Sequence, residues 1–204
     1  MGVVLNLSDT CLRSKIAVDL ALSGLSLPAL AGDRADDRIE AGPGARVSAT
    51  IMLTDIVDST RRAAAMGDES WSRLLDRHDD LAREIVRRYS GVLAKTTGDG
   101  VLATFDGPGC AVRCALTLQS AARLIGLALR VGVHAGEVEL RRGDVRGVAV
   151  HAAARVMRKC APGEVLVSRA VADLAAGTGL AFSARGAHEL RGLPGQWDLY
   201  AARV

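Results

Sequence analysis

Two aspartates stand where strand ends and turns would present them. Asp55 follows an apolar run, Val47 to Leu53 and then Thr54, that reads as a strand delivering an acid at its carboxyl end. Asp99 lies between Gly98 and Gly100. The short runs on either side, Val92 to Thr97 and Val101 to Phe105, predict a hairpin with that carboxylate at its tip. If the first strand lies beside the hairpin, both acids reach one spot at the same end of a sheet. Two hard oxygen donors suit Mg²⁺, which usually takes one or two carboxylates and leaves its other positions to water and substrate phosphates. After the first acid, Ile56, Val57, Asp58, Ser59 and Thr60 turn from strand toward helix, so their backbone N–H groups are candidates to receive phosphate oxygens. Spacing alone leaves two readings open: a metal with a nucleoside triphosphate, or two solvated turn acids.

The elements that would position these acids follow from periodicity. From Asp68 to Tyr89, apolar residues recur at three and four residue steps (Trp71, Leu74, Leu75, Leu81, Ile85), a helix whose inward stripe includes His78 as a packing residue. Pro108 marks the start of a second helix, with Ala111, Cys114, Leu118, Ala121 and Ile125 on one face. A strand from Leu127 to Val138 follows, then a turn at Arg141 to Gly147 and an alanine-rich helix from Val148 to Lys159. The remainder reads as strand, short helix and two closing strands around Gly177 and Gly195. The order β-α-β-β-α-β predicts an α+β class, a ferredoxin-like core with an added αβ unit and a terminal hairpin. An antiparallel sheet with helices on one face is expected, its open face covered by a second copy of the chain.

Composition narrows the function classes. The 204 residues include 26 basic and 23 acidic side chains, a net charge of +3, which fits one domain over residues 46–204 preceded by an extension over residues 1–45. Six aromatic residues and a weak positive charge argue against a nucleic-acid surface. No stretch reaches the ~18 apolar residues of a membrane span. The run from Ile16 to Ala31 imitates a secretory leader, but Asp19 interrupts it, and an irregular or weakly helical extension is the reading adopted. Cys11, Cys110, Cys114 and Cys160 show no CxxC spacing, so a reduced, cytoplasmic compartment is expected.

Three segments taken together are more specific than any one of them. Leu53-Thr54-Asp55-Ile56-Val57-Asp58-Ser59-Thr60, Lys95-Thr96-Thr97-Gly98-Asp99-Gly100 and the stretch from Asp144 to Arg155 resemble the class III nucleotidyl cyclase catalytic domain, especially actinobacterial adenylyl cyclases, over about residues 46–202. The resemblance implies an adenylyl cyclase that converts ATP to 3′,5′-cyclic AMP and pyrophosphate. Asp55 and Asp99 would bind two Mg²⁺ or Mn²⁺ ions that assist in-line attack of the ribose 3′-hydroxyl on the α-phosphorus. It further implies that Lys95 donates to adenine N1, that Asp144 accepts from the exocyclic amine, and that Arg155 stabilises the transferring phosphoryl group while Arg191 contacts the terminal phosphates. Two chains of a homodimer would share each site, one contributing Asp55 and Asp99, the other Lys95, Asp144, His151, Arg155 and Arg191. His151 departs from the pattern, standing where the family has asparagine, one helical turn before Arg155. Reduced turnover with a pH-dependent contact is expected from it, and a pH profile of activity unchanged by His151→Asn would remove that expectation. The alternatives are a weakly active or inactive cyclase-like nucleotide-binding module and a guanylyl cyclase, the latter opposed by Lys95 and Asp144. No GGDEF-type run is present to favour a diguanylate cyclase.

Overall fold

The computed structural model describes residues 46–141 and 144–203; the expected extension, residues 1–45, and its leader-like run lie outside them. The strands are β1 (Arg46–Ile56), β2 (Val92–Thr96), β3 (Val101–Phe105), β4 (Leu129–Arg141), β5 (Asp144–Arg146), β6 (Glu164–Ser168), β7 (Ala181–Glu189) and β8 (Gln196–Arg203). The helices are α1 (Ser59–Met66), α2 (Asp68–Arg88), α3 (Pro108–Leu124), α4 (Val148–Met157) and α5 (Arg169–Leu174). One sheet runs β2-β3-β1-β4-β6-β8-β7, with β5 paired to β4. Its first four strands have the order of the expected ferredoxin-like core, and β6, α5 and the β7–β8 hairpin supply the added unit.

Strand alternation sorts the core onto two faces. Met52 and Ile56 of β1 point into the main cluster, where Ile85 and Val86 of α2, Ala115 and Leu118 of α3 and Val171 of α5 close over the sheet. Ile51 and Leu53 point the other way, against Ala149 and Ala153 of α4. The expectation of helices on one face is therefore corrected: α4 covers the opposite side. The sheet is also not wholly antiparallel, because β4 pairs with β6 in parallel, Arg130 to Val133 against Glu164 to Val167. The cause of both departures is one unit. A strand, a crossover helix and a second strand alongside form a parallel pair, and the crossover must lie on a face of the sheet. Close contact at this crossover leaves no room for a side chain at Gly132, where a Cβ would lie 2.4 Å from the Met157 backbone nitrogen.

His78 is buried, as the α2 stripe requires, and Cys114 and Cys160 are buried free thiols whose pKa burial raises. His134 of β4 is 8% exposed, its Nδ1 2.8 Å from Ser168 Oγ and its ring edge-on to Trp197. Burial lowers its pKa to about 4. In the unfolded chain the imidazole titrates near ~6.5, so the unfolded state binds the proton more tightly. The stability it contributes is full above that pH and is lost as pH falls through about 4, a loss of about 3 kcal/mol in all. Urea midpoints for the wild type and His134→Gln across this window check the point. The variant should show a flatter pH dependence, and an unchanged slope would assign the acid sensitivity to other groups.

Candidate active site

The end of β1 and the tip of the β2–β3 hairpin are tied by backbone. Ile56 N–H donates to Asp99 O at 2.9 Å, and Val101 N–H donates to Thr54 Oγ1 at 3.0 Å. Gly100 makes the approach possible, since a Cβ there would stand 1.9 Å from Thr54 O. Sequence positions far apart thus place Asp55 and Asp99 at one sheet end. Their side chains have different local partners. Asp55 Oδ2 accepts from Arg130 at 3.1 Å, in a recess it shares with Met157 and Cys160 on the α4 side. Asp99 Oδ2 accepts from Ser59 Oγ at 2.5 Å, and Asp99 lines a separate recess with Thr60 and Trp71.

Each carboxylate is a donor of the kind that a magnesium-type ion takes. Two partly exposed carboxylates each have one oxygen in a protein contact, and among the described residues no group of three or more His, Cys, Asp and Glu side chains gathers into a closed cage. Such an arrangement leaves room for water and substrate phosphates, the ligands that Mg²⁺ retains, whereas a structural metal would demand a fuller protein shell.

The segment expected to receive phosphate offers fewer free N–H groups than the sequence predicts. Ile56 N–H and Val57 N–H are committed to Asp99 O and Ala128 O, because β1 continues through Ile56. Those two residues are therefore corrected as phosphate donors. What remains is the start of α1. Asp58 precedes the helix with φ 56°, its side chain makes no capping bond, and its carboxylate is paired to Arg61 at 2.5 Å. Ser59 and Thr60 open the helix, whose first N–H groups have no intrahelical partner.

Lys95 and Asp144 meet. Lys95 Nζ lies 2.9 Å from Asp144 Oδ1, joining β2 to the short β5. Asp144 Oδ1 also accepts from Val145 N–H, and its Oδ2 from Arg146 Nε at 3.0 Å. The Lys95 contact, reinforced by Arg146, lowers the Asp144 pKa to about 2, so the carboxylate stays an acceptor across the whole neutral range. A carboxylate offers about four lone-pair sites, and three are occupied, which leaves one. Arg155 on α4 donates its Nε to Arg191 O at 3.0 Å, which fixes the turn between β7 and β8 against the helix. His151 is exposed one turn earlier on α4.

Two participants are absent from the sequence reading. Arg130 faces Asp55 directly across the β1–β4 ladder, and Arg146 holds the second oxygen of Asp144. Arg130 could have been found only by fixing the register of two strands distant in the chain; Arg146, two residues after Asp144 on the same strand face, carried a local signal.

The family described as adenylate and guanylate cyclase catalytic domain matches residues 44–202. The adenylate cyclase of Streptomyces coelicolor is 35% identical over 123 residues, covering 59% of this chain and 32% of that protein. The crystal structure of the adenylyl cyclase CyaB from P. aeruginosa superposes with a TM-score of 0.75 at 18% identity, covering 80% of this chain and 97% of that one. An adenylate/guanylate cyclase/hydrolase from Silicibacter pomeroyi superposes with a TM-score of 0.68 at 26% identity, covering 78% and 97%. The chain spans about half or less of the length of the curated relatives it matches first.

Proposed function

The chain belongs to the family of adenylate and guanylate cyclase catalytic domains, and from that premise we propose that it is an adenylyl cyclase, forming 3′,5′-cyclic AMP and pyrophosphate from ATP at sites shared by two copies. The observation that carries the reading is the bond from Ile56 N–H to Asp99 O, which ties the strand end bearing Asp55 to the hairpin tip bearing Asp99. Asp55 and Asp99 would hold two Mg²⁺ or Mn²⁺ ions. When bound, such ions stabilise charge on the attacking 3′-oxygen and on the departing pyrophosphate. The open N–H groups of α1 receive phosphate oxygens, and the positive end of the helix dipole favours them there.

Lys95 and Asp144 read the base. Lys95 donates to adenine N1 and the remaining lone pair of Asp144 accepts from the exocyclic amine. With guanine, Lys95 would face an N1–H and Asp144 a carbonyl oxygen, leaving neither with a partner on the base. A mismatch of this kind costs about 1–3 kcal/mol in all, because Lys95 and Asp144 still pair with each other, so ATP should be preferred over GTP by about one to two decades. The Arg155 guanidinium stabilises the phosphoryl oxygens, with Arg191 on the terminal phosphates. His151, exposed beside Arg155, donates to the ribose or a phosphate oxygen in place of an amide.

A second copy fits the α4 side of the sheet. Residues directly opposed on paired strands point to one face, so Val92, opposite Thr104 and hence on the Ile51 side, and Leu140, opposite Val145, join Val148 there. These are three of the six large apolar side chains left exposed among the described residues, and they flank Lys95 and Asp144. Covering them with the same face of a partner gives two equivalent sites.

Product identification from ATP and GTP with Mn²⁺ tests the reaction: cyclic AMP and pyrophosphate are expected, with GTP turned over far more slowly. Saturable nucleotide binding without product would instead make the chain a cyclase-like binding module. Mixing Asp99→Ala chains with Arg155→Ala chains tests the shared site. Heterodimers carrying one intact site should recover up to about a quarter of the wild-type rate from two nearly inactive parents, the value for random pairing and one of two sites. No recovery from verified heterodimers would place all the groups within one chain.

A further inference from the structure

We propose that the cavity between α3, the start of β6 and the end of β8 binds a small phosphate-bearing anion. Leu116, Gln119 and Arg123 of α3 form one side of it, it shares no lining residue with the recess of Asp55 or with that of Asp99, and the proposal does not depend on the assigned reaction. The cavity is partly open and has a volume of about 450 Å³, far more than the ~10–15 Å³ that one water molecule needs on the same measure.

Its wall is built from three guanidinium groups and one carboxylate: Arg123, Arg185, Arg203 and Glu164. Arg123 spends one N–H on Gly163 O at 3.0 Å. Gly163 has φ 72°, and a Cβ there would lie 3.1 Å from Arg123 Nη2, so the guanidinium rests directly on the turn. Arg185 spends its Nε on Glu164 Oε1 at 2.8 Å, while Glu164 Oε2 accepts from Ala161 N–H at 2.9 Å. Both oxygens of Glu164, the one acid lining the cavity among the described residues, are thereby engaged. Arg203 makes no hydrogen bond or ion pair within the described residues. Three positive charges against one negative leave a surplus of two, which matches a phosphate dianion, and the forked N–H pairs of arginine match phosphate oxygens geometrically.

Gln119 supplies the independent sign of a ligand. It is 7% exposed, lines this cavity, and its Nε2 is buried with no hydrogen-bond partner. Buried amide donors are rarely left unpaired, because the loss of hydration is then uncompensated. A phosphate oxygen entering between the arginines gives that donor an acceptor. The apolar floor, Leu116 and Val165, accepts the organic part of a phosphate ester.

The test is the melting temperature of the full chain titrated with inorganic phosphate to about 20 mM, with chloride adjusted to hold ionic strength constant. A rise of a few degrees is expected. Arg203→Glu, at an exposed position near the end of β8, should weaken the effect at least about tenfold by reversing one charge. Gln119→Leu should raise the melting temperature without phosphate, by removing the unpaired donor, and lessen the further rise with phosphate. Arg155→Ala should leave the phosphate response intact. No response in the wild type overturns the proposal, as does a response that survives Arg203→Glu and Gln119→Leu but vanishes in Arg155→Ala, which would assign the phosphate to the nucleotide site.

Discussion

Asp55→Ala should reduce cyclic-nucleotide formation by at least about a thousandfold, corresponding to about 4 kcal/mol of lost transition-state stabilisation. The size follows from the proposed role. A carboxylate that holds a divalent ion contributes through that ion's whole charge, and alanine offers no oxygen in its place. Folding should barely change. The Asp55–Arg130 pair is about 30% exposed on both sides, 32% and 29%, and solvent-screened pairs contribute at most about 1 kcal/mol. Arg130→Ala should act in the opposite direction on metal use. Removing the guanidinium frees Asp55 Oδ2 from its 3.1 Å contact, so half-maximal activity should need a lower Mn²⁺ concentration than in the wild type. Steady-state rates across a Mn²⁺ titration, with melting curves for both variants, check the pair of results. An active Asp55→Ala enzyme would remove this carboxylate from the metal site and with it the proposed chemistry.

The placement of the two acids was legible where local sequence controls local geometry. A β-rich run ending in Thr54-Asp55 and a Gly-Asp-Gly turn between two strands announce carboxylates at strand ends, because few other residue types turn the chain so tightly. The ferredoxin-like order was legible too, since each core element carries its own period. What stayed hidden depends on register and on faces. Pairing Asp55 with Arg130 requires β1 and β4 to align residue for residue, a long-range choice that neither strand states alone. The face taken by α4 was hidden because Ala149, Ala152, Ala153 and Val156 are small and buried over much of the helix, so no strong polar side marks which layer it joins. The lost donors of Ile56 and Val57 have the same origin. A strand that runs three residues beyond its apolar stretch keeps using its N–H groups for pairing and tertiary bonds. Gln119 left no trace at all, since a glutamine on a helix reads as solvated until a neighbouring sheet buries it.

Gly100→Ala should abolish the proposed cyclase activity without altering any group proposed to touch nucleotide or metal. The added Cβ would sit 1.9 Å from Thr54 O and 2.7 Å from the Thr54 carbonyl carbon, and neither atom is a flexible side-chain end that could swing away. The hairpin tip must therefore withdraw from β1. Its withdrawal stretches the bonds from Val101 N–H to Thr54 Oγ1 and from Ile56 N–H to Asp99 O, now 3.0 and 2.9 Å. Overpacking of this kind costs about 1–3 kcal/mol of stability. The same shift carries Asp99 away from Asp55, and a misplacement of about 1 Å costs on the order of a hundredfold in rate. Gly98→Ala separates placement from mere turn strain. Gly98 has φ 92° but nothing within 4 Å of a built Cβ, so alanine there should cost about 1–2 kcal/mol through backbone strain alone and leave the hairpin tip seated against Thr54. Comparing kcat and melting temperature of the two variants distinguishes the causes. Equal losses of rate would mean that turn strain, not the close passage of Gly100 over β1, governs where Asp99 lies.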